Sequence, residues 1–507
     1  MYMYIAGQKE MQLLDQYTME TIGLPGVVLM ENAGGAVVQE IVRDFPELKT
    51  TIVILAGSGN NGGDGFVIAR KLMDIGYPVQ LWLATEQSKL TGDAKIHFNV
   101  YKKRGLPLHF FTEENIELLN SHILLADVII DALLGTGING EVRSPIKEII
   151  ELVNQSPKPI YAVDIPSGVN ATTGEVNNIA VKASKTITFV MPKIGFFVGD
   201  GPKFIGEWKA AEISVPENLV VSLNLDLPQL LDEKVAYQAL PKRDPHGHKG
   251  TFGHCLIVGG STPYVGAPIY SAKAAFHSGV GLVSLATPET IYPIVAAQCP
   301  ESLLFPLTGE VKITLPHTLD FSKFKSIAFG PGLGREINGE ELLESLFSKV
   351  TTQPIVIDAD GIYFFKQLID ANKKVPENVI LTPHPGEMAT LTGRTVAEIE
   401  KNRLQIAKEF ATQHEIYLLL KGHRPILATP KGELWINPHG NDALGKGGSG
   451  DVLTGLIVSF LAQGASPLEA MQAASFYHAM AAEKLGNERS HYGITPTDVI
   501  EYIAKNL

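Results

Sequence analysis

Two hydrophobic periods alternate along the chain. Residues 6–20 and 25–43 carry apolar positions at helical spacing. After them come short, nearly continuous apolar runs, each ending in a cluster of small polar residues. In the first half these are 51–65 (TIVILAGSGNNGGDG), 77–86, 127–140 (DVIIDALLGTGING), 159–170 (PIYAVDIPSGVN) and 186–195, separated by amphipathic stretches such as 66–76. Strands apolar on both faces and alternating with helices predict a parallel sheet covered on both sides. Around 216–245 the pattern breaks, and Pro, Asp and charge accumulate without a period. This predicts an inter-domain connection with a boundary near 220–230. A second series follows at 253–261, 281–288, 326–334, 354–361, 378–387 and 417–422, and 424–440 reads as a hairpin turning at Pro430-Lys431-Gly432. The expected organisation is two α/β domains, 1–222 and 223–507.

Composition narrows the function. The 507 residues are 45% hydrophobic and 19% charged, which suits packed domains. Lys+Arg number 42 against 54 Asp+Glu, a net charge of −12, so nucleic acid is not expected as a main partner. An anionic ligand must then be held by local devices such as helix N-termini. The two cysteines, Cys255 and Cys299, leave no disulfide scaffold or Cys-rich metal site and suit a reducing cytoplasm. No apolar run approaches the roughly 20 residues of a membrane span, and no signal peptide is expected.

In open parallel sheets, ligands bind beyond the carboxyl ends of the strands, where these polar clusters fall. Gly57-Ser58-Gly59-Asn60-Asn61-Gly62 fits G-x-G-x-x-G directly after a strand and predicts a pyrophosphate at a helix N-terminus. Glu86, ending the next run, stands where an acid holds a ribose, so a hydride-transferring enzyme is one reading. Against it stand the polar continuation through Gly63, Asp64 and Gly65, and the acids Asp131 and Asp164, which would face bound phosphates with like charge. A tight turn explains the glycines but not the two asparagines. Asn61, Asp131 and Ser167 each offer an oxygen just past a strand end. Such hard donors suit an alkali or alkaline-earth ion, although all three residue types are also common caps and turn formers.

Taken together, Leu29 to Gly34, Gly57 to Gly65, Val128 to Gly137 and Val163 to Gly168 resemble the NAD(P)H-hydrate epimerase domain. That resemblance implies interconversion of the R and S epimers at the hydrated carbon of a damaged nicotinamide ring, with a potassium ion in the site. By position, Asn60, Asn61, Gly62, Gly63 and Asp64 would contact the dinucleotide, as would Gly135, Thr136, Gly137, Ile138, Asn139, Gly140 and Glu141. Asn61, Asp131 and Ser167 would ligate potassium, and Asp164 would contact the substrate. Epimerisation passes through a cationic, iminium-like species, which a carboxylate can stabilise while shuttling a proton. Asp131 is the first candidate for that role and Asp164 the second.

In the second half, Asn441 to Asp451 precedes an apolar helical run, so Gly448-Ser449-Gly450-Asp451 opens a helix. Free N–H groups there can bind phosphate, with Asp451 as a base on a reacting hydroxyl. The bland alternative is a Gly-rich turn with an acid favourable at a helix start. The cluster lacks the G-x-x-x-x-G-K-[ST] pattern and is not a P-loop. Gly-x-Gly-Asp late in an α/β chain resembles the ribokinase-like superfamily. His248-Lys249-Gly250, Tyr264 to Pro268, Gly330 to Gly334, Asp358-Ala359-Asp360, Leu381 to Glu387 and Lys421-Gly422 narrow the resemblance to the nucleotide-dependent NAD(P)H-hydrate dehydratase domain.

The two domains in this order resemble bifunctional microbial repair enzymes. The implied reaction uses ADP or ATP, with magnesium, to dehydrate the S epimer to NADH or NADPH. Lys421, Gly422, His423, Arg424 and Pro425 would hold the adenine nucleotide, and Gly448, Ser449 and Gly450 would form the anion hole. Ala267, Gly332, His384 and Asp451 would contact the hydrate. The resemblance also implies a homo-oligomer. Two other readings are a small-alcohol kinase fused to a Rossmann-like regulatory domain, and a non-enzymatic nucleotide sensor. Asp358 and Asp360 either face ligand or cap a helix and stand outside the expected catalytic set. His246, His248 and His254 lack a fourth ligand for zinc, and Cys255 reads as a small core residue.

Overall fold

The computed structural model describes residues 3–216, 218–309, 311–316 and 319–507. It divides into two units, one of Tyr4–Leu227 and one of Pro228–Leu507 with Met3.

In the first unit the strand Ile52–Ala56 shows why the apolar runs are continuous. Ile52, Ile54 and Ala56 enter a core with Leu14, Val37, Phe66 and Phe98, whereas Val53 and Leu55 enter another with Leu119, Ile123 and Ile149. Side chains alternate across a strand, so both faces are covered by helices and three layers result. The sheet has seven strands in the order Leu108–Phe110, Val79–Leu83, Ile52–Ala56, Val128–Ala132, Ile160–Val163, Lys185–Phe189, Glu207–Ala211. All six pairings are parallel. This is a Rossmann-like order, and its direction reverses between Ile52–Ala56 and Val128–Ala132. Gly57 is obligatory there, because a Cβ would strike the carbonyl oxygen of Leu133.

The second unit is also doubly wound. Its sheet runs Leu434–Ile436, Ile426–Ala428, Tyr417–Leu420, Val379–Leu381, Ile355–Ile357, Ser326–Phe329, His254–Val258, Leu282–Pro288, Leu303–Leu307. From Tyr417–Leu420 to Leu303–Leu307 the pairings are parallel. The expected hairpin pairs Ile426–Ala428 antiparallel with Leu434–Ile436, and Gly432 takes φ +85° in its turn. The helices Gly266–His277 and Ser449–Ala462 share one core with Cys255 and Ile257. Burial pushes the Cys255 thiol up to about 12, as befits a core residue.

Part of the aperiodic segment is ordered into this unit, which corrects the reading of 216–245 as connection throughout. Gln229–Leu230 pairs with Leu434–Ile436, and Asp232 caps the helix Glu233–Ala239 by accepting from Val235 N at 2.7 Å. A two-residue strand and a seven-residue helix of about two turns are too short to show a period.

Candidate active sites

The first site lies where the sheet order reverses. A cavity of about 520 Å³ is lined by Gly59, Asn60, Asn61 and Asp64 from the start of the helix Asn60–Ile75. Gly135 to Ile138 line it from the loop after Val128–Ala132, and Asp164 from the end of Ile160–Val163. Gly62 and Gly63 are not on this wall. They let the helix close in, since a Cβ at Gly62 would meet the Gly57 carbonyl and one at Gly63 would meet Met30. Asn139, Gly140 and Glu141 continue the loop away from the wall. Glu86 is also absent from it and accepts from Ser88 Oγ at 3.1 Å.

Asp131 and Ser167 are fully buried behind the cavity floor. Ser167 N donates to Asp131 Oδ2 at 2.8 Å, and Ser167 Oγ and Leu133 N donate to Oδ1 at 2.6 and 3.2 Å. Burial pushes the Asp131 carboxyl up to about 6 despite these bonds. Asn61 Nδ2 donates to the Leu134 carbonyl at 2.9 Å, and the Leu134 N–H donates to Ser167 Oγ at 2.8 Å. Asn61 Oδ1 is buried with no hydrogen-bond donor among the described residues. The three residues expected to bind a cation are thus joined by one loop, with an orphaned oxygen among them. A hard cation that takes oxygen donors fits this set.

Asp164 does reach the cavity. Its backbone is left-handed (φ +64°), an unusual conformation for an aspartate after a strand. Its Oδ1 accepts from Thr188 Oγ1 at 3.1 Å, Phe189 N at 3.1 Å and Lys193 Nζ at 2.7 Å. Lys193 is 1% exposed, and its ammonium also donates to Thr188 Oγ1, the Phe189 carbonyl and the Met191 carbonyl at 2.8–3.2 Å. Among the described residues Oδ2 has no such partner, and it is the oxygen left for a ligand. Asp15 and Asp64 join Asp164 on the wall. Burial, then the charge of Asp164, pushes Asp15 up to about 6 and Asp64 well above the carboxylate range. Sequence reasoning passed over Lys193 and Asp15, because a lysine after a Pro and an acid in an amphipathic helix both read as surface residues.

The second site gathers around the start of the helix Ser449–Ala462. A cavity of about 390 Å³ is lined by Lys421 to Pro425, Ser449 and Gly450 from the expected set, with His439 to Asp442, Ser475 and His478. Gly448 caps the helix at φ +97°, a conformation glycine adopts without strain, and is not itself on the wall. A Cβ on Gly450 would lie 3.4 Å from Lys421 Nζ, so this glycine leaves the ammonium open.

Lys421 Nζ donates to Asp358 Oδ1 at 2.7 Å and lies 3.9 Å from Glu387 Oε2. Thr454 Oγ1 donates to Asp358 Oδ2 at 2.7 Å. Burial works against both charges of this pair, but their mutual attraction outweighs it: Lys421 is raised and Asp358 lowered. Asp358 is therefore no helix cap. It anchors Lys421, and Ala359 is the N-cap residue of Asp360–Asp370. Asp360 instead accepts from Gly334 N and Arg335 Nε at 2.9 and 3.1 Å. Asp451 feels Asp358, Lys421 and Asp360; burial, then Asp358, pushes its carboxyl up to about 7. Glu387 is pushed up to about 7 by burial. Ala267 and Gly332 adjoin each other, since a Cβ on Gly332 would meet the Ala267 Cβ at 2.9 Å. His384 caps Pro385–Thr392, its Nδ1 accepting from Gly386 N and Glu387 N. Ala267, Gly332, His384 and Asp451 all lie off the wall of the 390 Å³ cavity.

Both halves match family models. Residues 26–195 match the YjeF-related protein N-terminus, and residues 255–505 match NAD(P)H-hydrate dehydratase. Among curated proteins, the bifunctional NAD(P)H-hydrate repair enzyme Nnr of Moorella thermoacetica is 35% identical over 517 residues, spanning 100% of this chain and 97% of its own. The enzyme of the same description from Thermofilum pendens is 35% identical over 511 residues, spanning 100% and 96%. Among solved structures, the ADP/ATP-dependent NAD(P)H-hydrate dehydratase from Bacillus subtilis co-crystallized with ATP/Mg2+ is 30% identical. It covers 55% of this chain and 98% of its own, with a TM-score of 0.47.

Proposed function

The chain belongs to the bifunctional NAD(P)H-hydrate repair enzymes, and from that premise we propose how its two sites divide the work. The chain epimerises R- and S-NAD(P)HX and dehydrates the S form to NAD(P)H at the expense of ADP or ATP. The observation that carries this is likeness at 35% identity along the whole chain, both catalytic halves included.

In the first unit, Asp164 contacts the hydrated ring and Asp131 stays behind it. This reverses the order expected from sequence, because Asp164 lines the cavity and Asp131 has no exposed surface. Asp164 Oδ2 faces the ring as positive charge develops, and Lys193 keeps the other oxygen in place. Asn60, Asn61 and Gly135 to Ile138 hold the dinucleotide. Asn61, Asp131 and Ser167 would hold potassium, which when bound would supply a fixed positive charge at this site. The orphaned Asn61 Oδ1 supports that assignment.

In the second unit, the Ser449 N–H is already given to the Lys446 carbonyl at 3.2 Å, so the Gly450 N–H at the helix start and the spare protons of Lys421 hold phosphate oxygens. Asp451 takes the proton of the ring hydroxyl as its oxygen attacks the terminal phosphoryl group. Phosphate then leaves from carbon, pushed by the ring nitrogen, and loss of a proton from the adjacent carbon restores the double bond. A carboxyl near neutrality suits such a base. Magnesium, where it accompanies the nucleotide, would be held through phosphate oxygens and would neutralise their charge. A homo-oligomer and a cytoplasmic setting rest on the family likeness alone and belong to the same proposal.

The test supplies mixed epimers of hydrated NADH with ADP or ATP and follows the return of reduced-nicotinamide absorbance. Recovery of both epimers is expected. A phosphorylated product without recovery would point to a small-alcohol kinase, and binding without turnover to a sensor.

A further inference from the structure

Among the described residues, the wall of the first cavity carries four carboxyl groups, those of Asp15, Asp64, Asp93 and Asp164, and no Lys or Arg. Asp164 is committed, since Thr188, Phe189 and Lys193 all donate to its Oδ1. Asp15 and Asp64 are not. Neither carboxyl has a hydrogen bond or a salt bridge among the described residues, although Asp64 is only 7% exposed. Asp15 is half-buried and open to the cavity. A buried acid without a partner costs stability, so it marks a place where a ligand or a reaction uses it.

The backbone places both groups without engaging their side chains. Asp15 lies on the helix Gln8–Tyr17, where Gln12 and Asp15, with Met19 beyond, recur along the cavity at helical spacing. Met11 and Leu14 fix the neighbouring face in the core. The chain just before this helix is bonded to the stretch that carries Lys193. Ala6 N donates to the Pro192 carbonyl at 3.1 Å, and Ile194 N donates to the Ala6 carbonyl at 3.0 Å. Asp64 comes from another helix, Asn60–Ile75. Two uncommitted carboxyls therefore reach one cavity from separate helices, on the wall that Asp164 shares.

Epimerisation needs two proton carriers. Loss of the hydroxyl needs an acid, and return of water to the opposite face needs a base. We infer that Asp15 and Asp64 are the acid–base pair of the epimerase site, sharing one proton and serving the two faces of the hydrated ring. The inference rests on the reading of this cavity as the epimerase site. One member gives its proton to the departing hydroxyl. The carbon–oxygen bond breaks with its electrons going to water, and the lone pair of the ring nitrogen makes the C=N bond of the cation. Water then adds to the other face, the C=N pair returns to nitrogen, and the surplus proton goes to the second carboxylate. Burial, then the charge of Asp164, lifts both members above the usual carboxylate range, against the pull of Lys193 on Asp15. Asp15, at about 6, is the member that ionises near neutrality, which leaves one proton on the pair.

The test uses the full chain in potassium buffer. Pure R epimer without nucleotide, followed by chromatographic separation of the epimers, isolates epimerisation; S epimer with ADP or ATP isolates dehydration. Asp15→Asn is expected to lower the epimerisation kcat about 10²–10⁴-fold with KM within about threefold, and to leave dehydration unchanged. Asp64→Asn should do the same. Because the pair works holding one proton, the wild-type rate should climb as pH rises through about 6, and the residual rate of Asp15→Asn should not. That difference separates proton transfer from support of the fold. Either variant converting R epimer as fast as the wild type overturns the inference, as does a wild-type rate flat from about pH 5 to about pH 8. Should Asp15→Asn not fold, Asp15→Ser and the wild-type profile decide on the same terms. Wild type that leaves the R epimer unchanged instead overturns the epimerase reading beneath it.

Discussion

Each unit buries a lysine against an aspartate at a strand end, and the two N–O distances are the same, 2.7 Å. The pairs are used in opposite senses. Lys193 has four oxygen partners for three protons, so it is spent, and the pair presents a carboxylate oxygen of Asp164 to the cavity. In the other unit Asp358 is spent on Lys421 and Thr454, and the pair presents the ammonium. A site that must stabilise a forming cation needs the first arrangement. A site that must hold phosphates needs the second. Which partner saturates the other decides what a buried ion pair offers a ligand.

The comparison breaks most readily at the acids. Asp451→Asn should cost dehydration about 10²–10⁴-fold and leave epimerisation intact, and Asp164→Asn should do the reverse. Separate assays of the two activities check this, and parallel loss of both in either variant defeats the idea of two independent sites.

The lysines sharpen it. Lys421→Met strands the buried Asp358 carboxylate and should cost its unit about 3–5 kcal/mol in denaturant unfolding, whereas Lys193→Met leaves Asp164 facing the cavity and should cost less. Only Lys421→Met should also weaken ADP, by roughly 10–100-fold, because only Lys421 has donors to spare. Unchanged ADP affinity in that variant would remove the contrast.

A smaller difference lies in pH. The Asp451 base works deprotonated, and burial sets its carboxyl at about 7. The dehydration rate should therefore climb through neutrality and level off on the alkaline side. A rate profile flat from about pH 6 to about pH 8 would exclude Asp451 as the base.

The smallest effect is the ion's. Replacing choline with potassium should raise the first unit's Tm by roughly 2–4 °C, and Asn61→Ala should abolish the gain. An equal gain in both proteins would assign it to ionic strength.

Strand positions were legible according to how they are covered. Ile52–Ala56, Val128–Ala132 and His254–Val258 lie inside their sheets and read as apolar runs. Leu108–Phe110, Glu207–Ala211 and Leu303–Leu307 escaped, since each is a partly exposed edge strand; the first two mix polar and apolar residues, and the third is interrupted by Pro306. Site residues divide in the same way. Asn61, Ser167, Asp164 and Asp451 follow strand ends or open helices, where local chain geometry already implies a ligand. Lys193, Asp15, Asp358 and Glu387 acquire their importance from partners far along the chain.

The order of apolar and polar segments alone determined two doubly wound sheets and the loops at their carboxyl ends, because that pattern is a local consequence of burial on both faces. Tertiary structure alone decided that Asp131 lies beneath the first cavity while Asp164 looks into it. It also decided that one buried lysine is exhausted while the other is available. Such outcomes depend on which distant oxygens meet an ammonium once water is excluded, and no periodicity in a sequence records that.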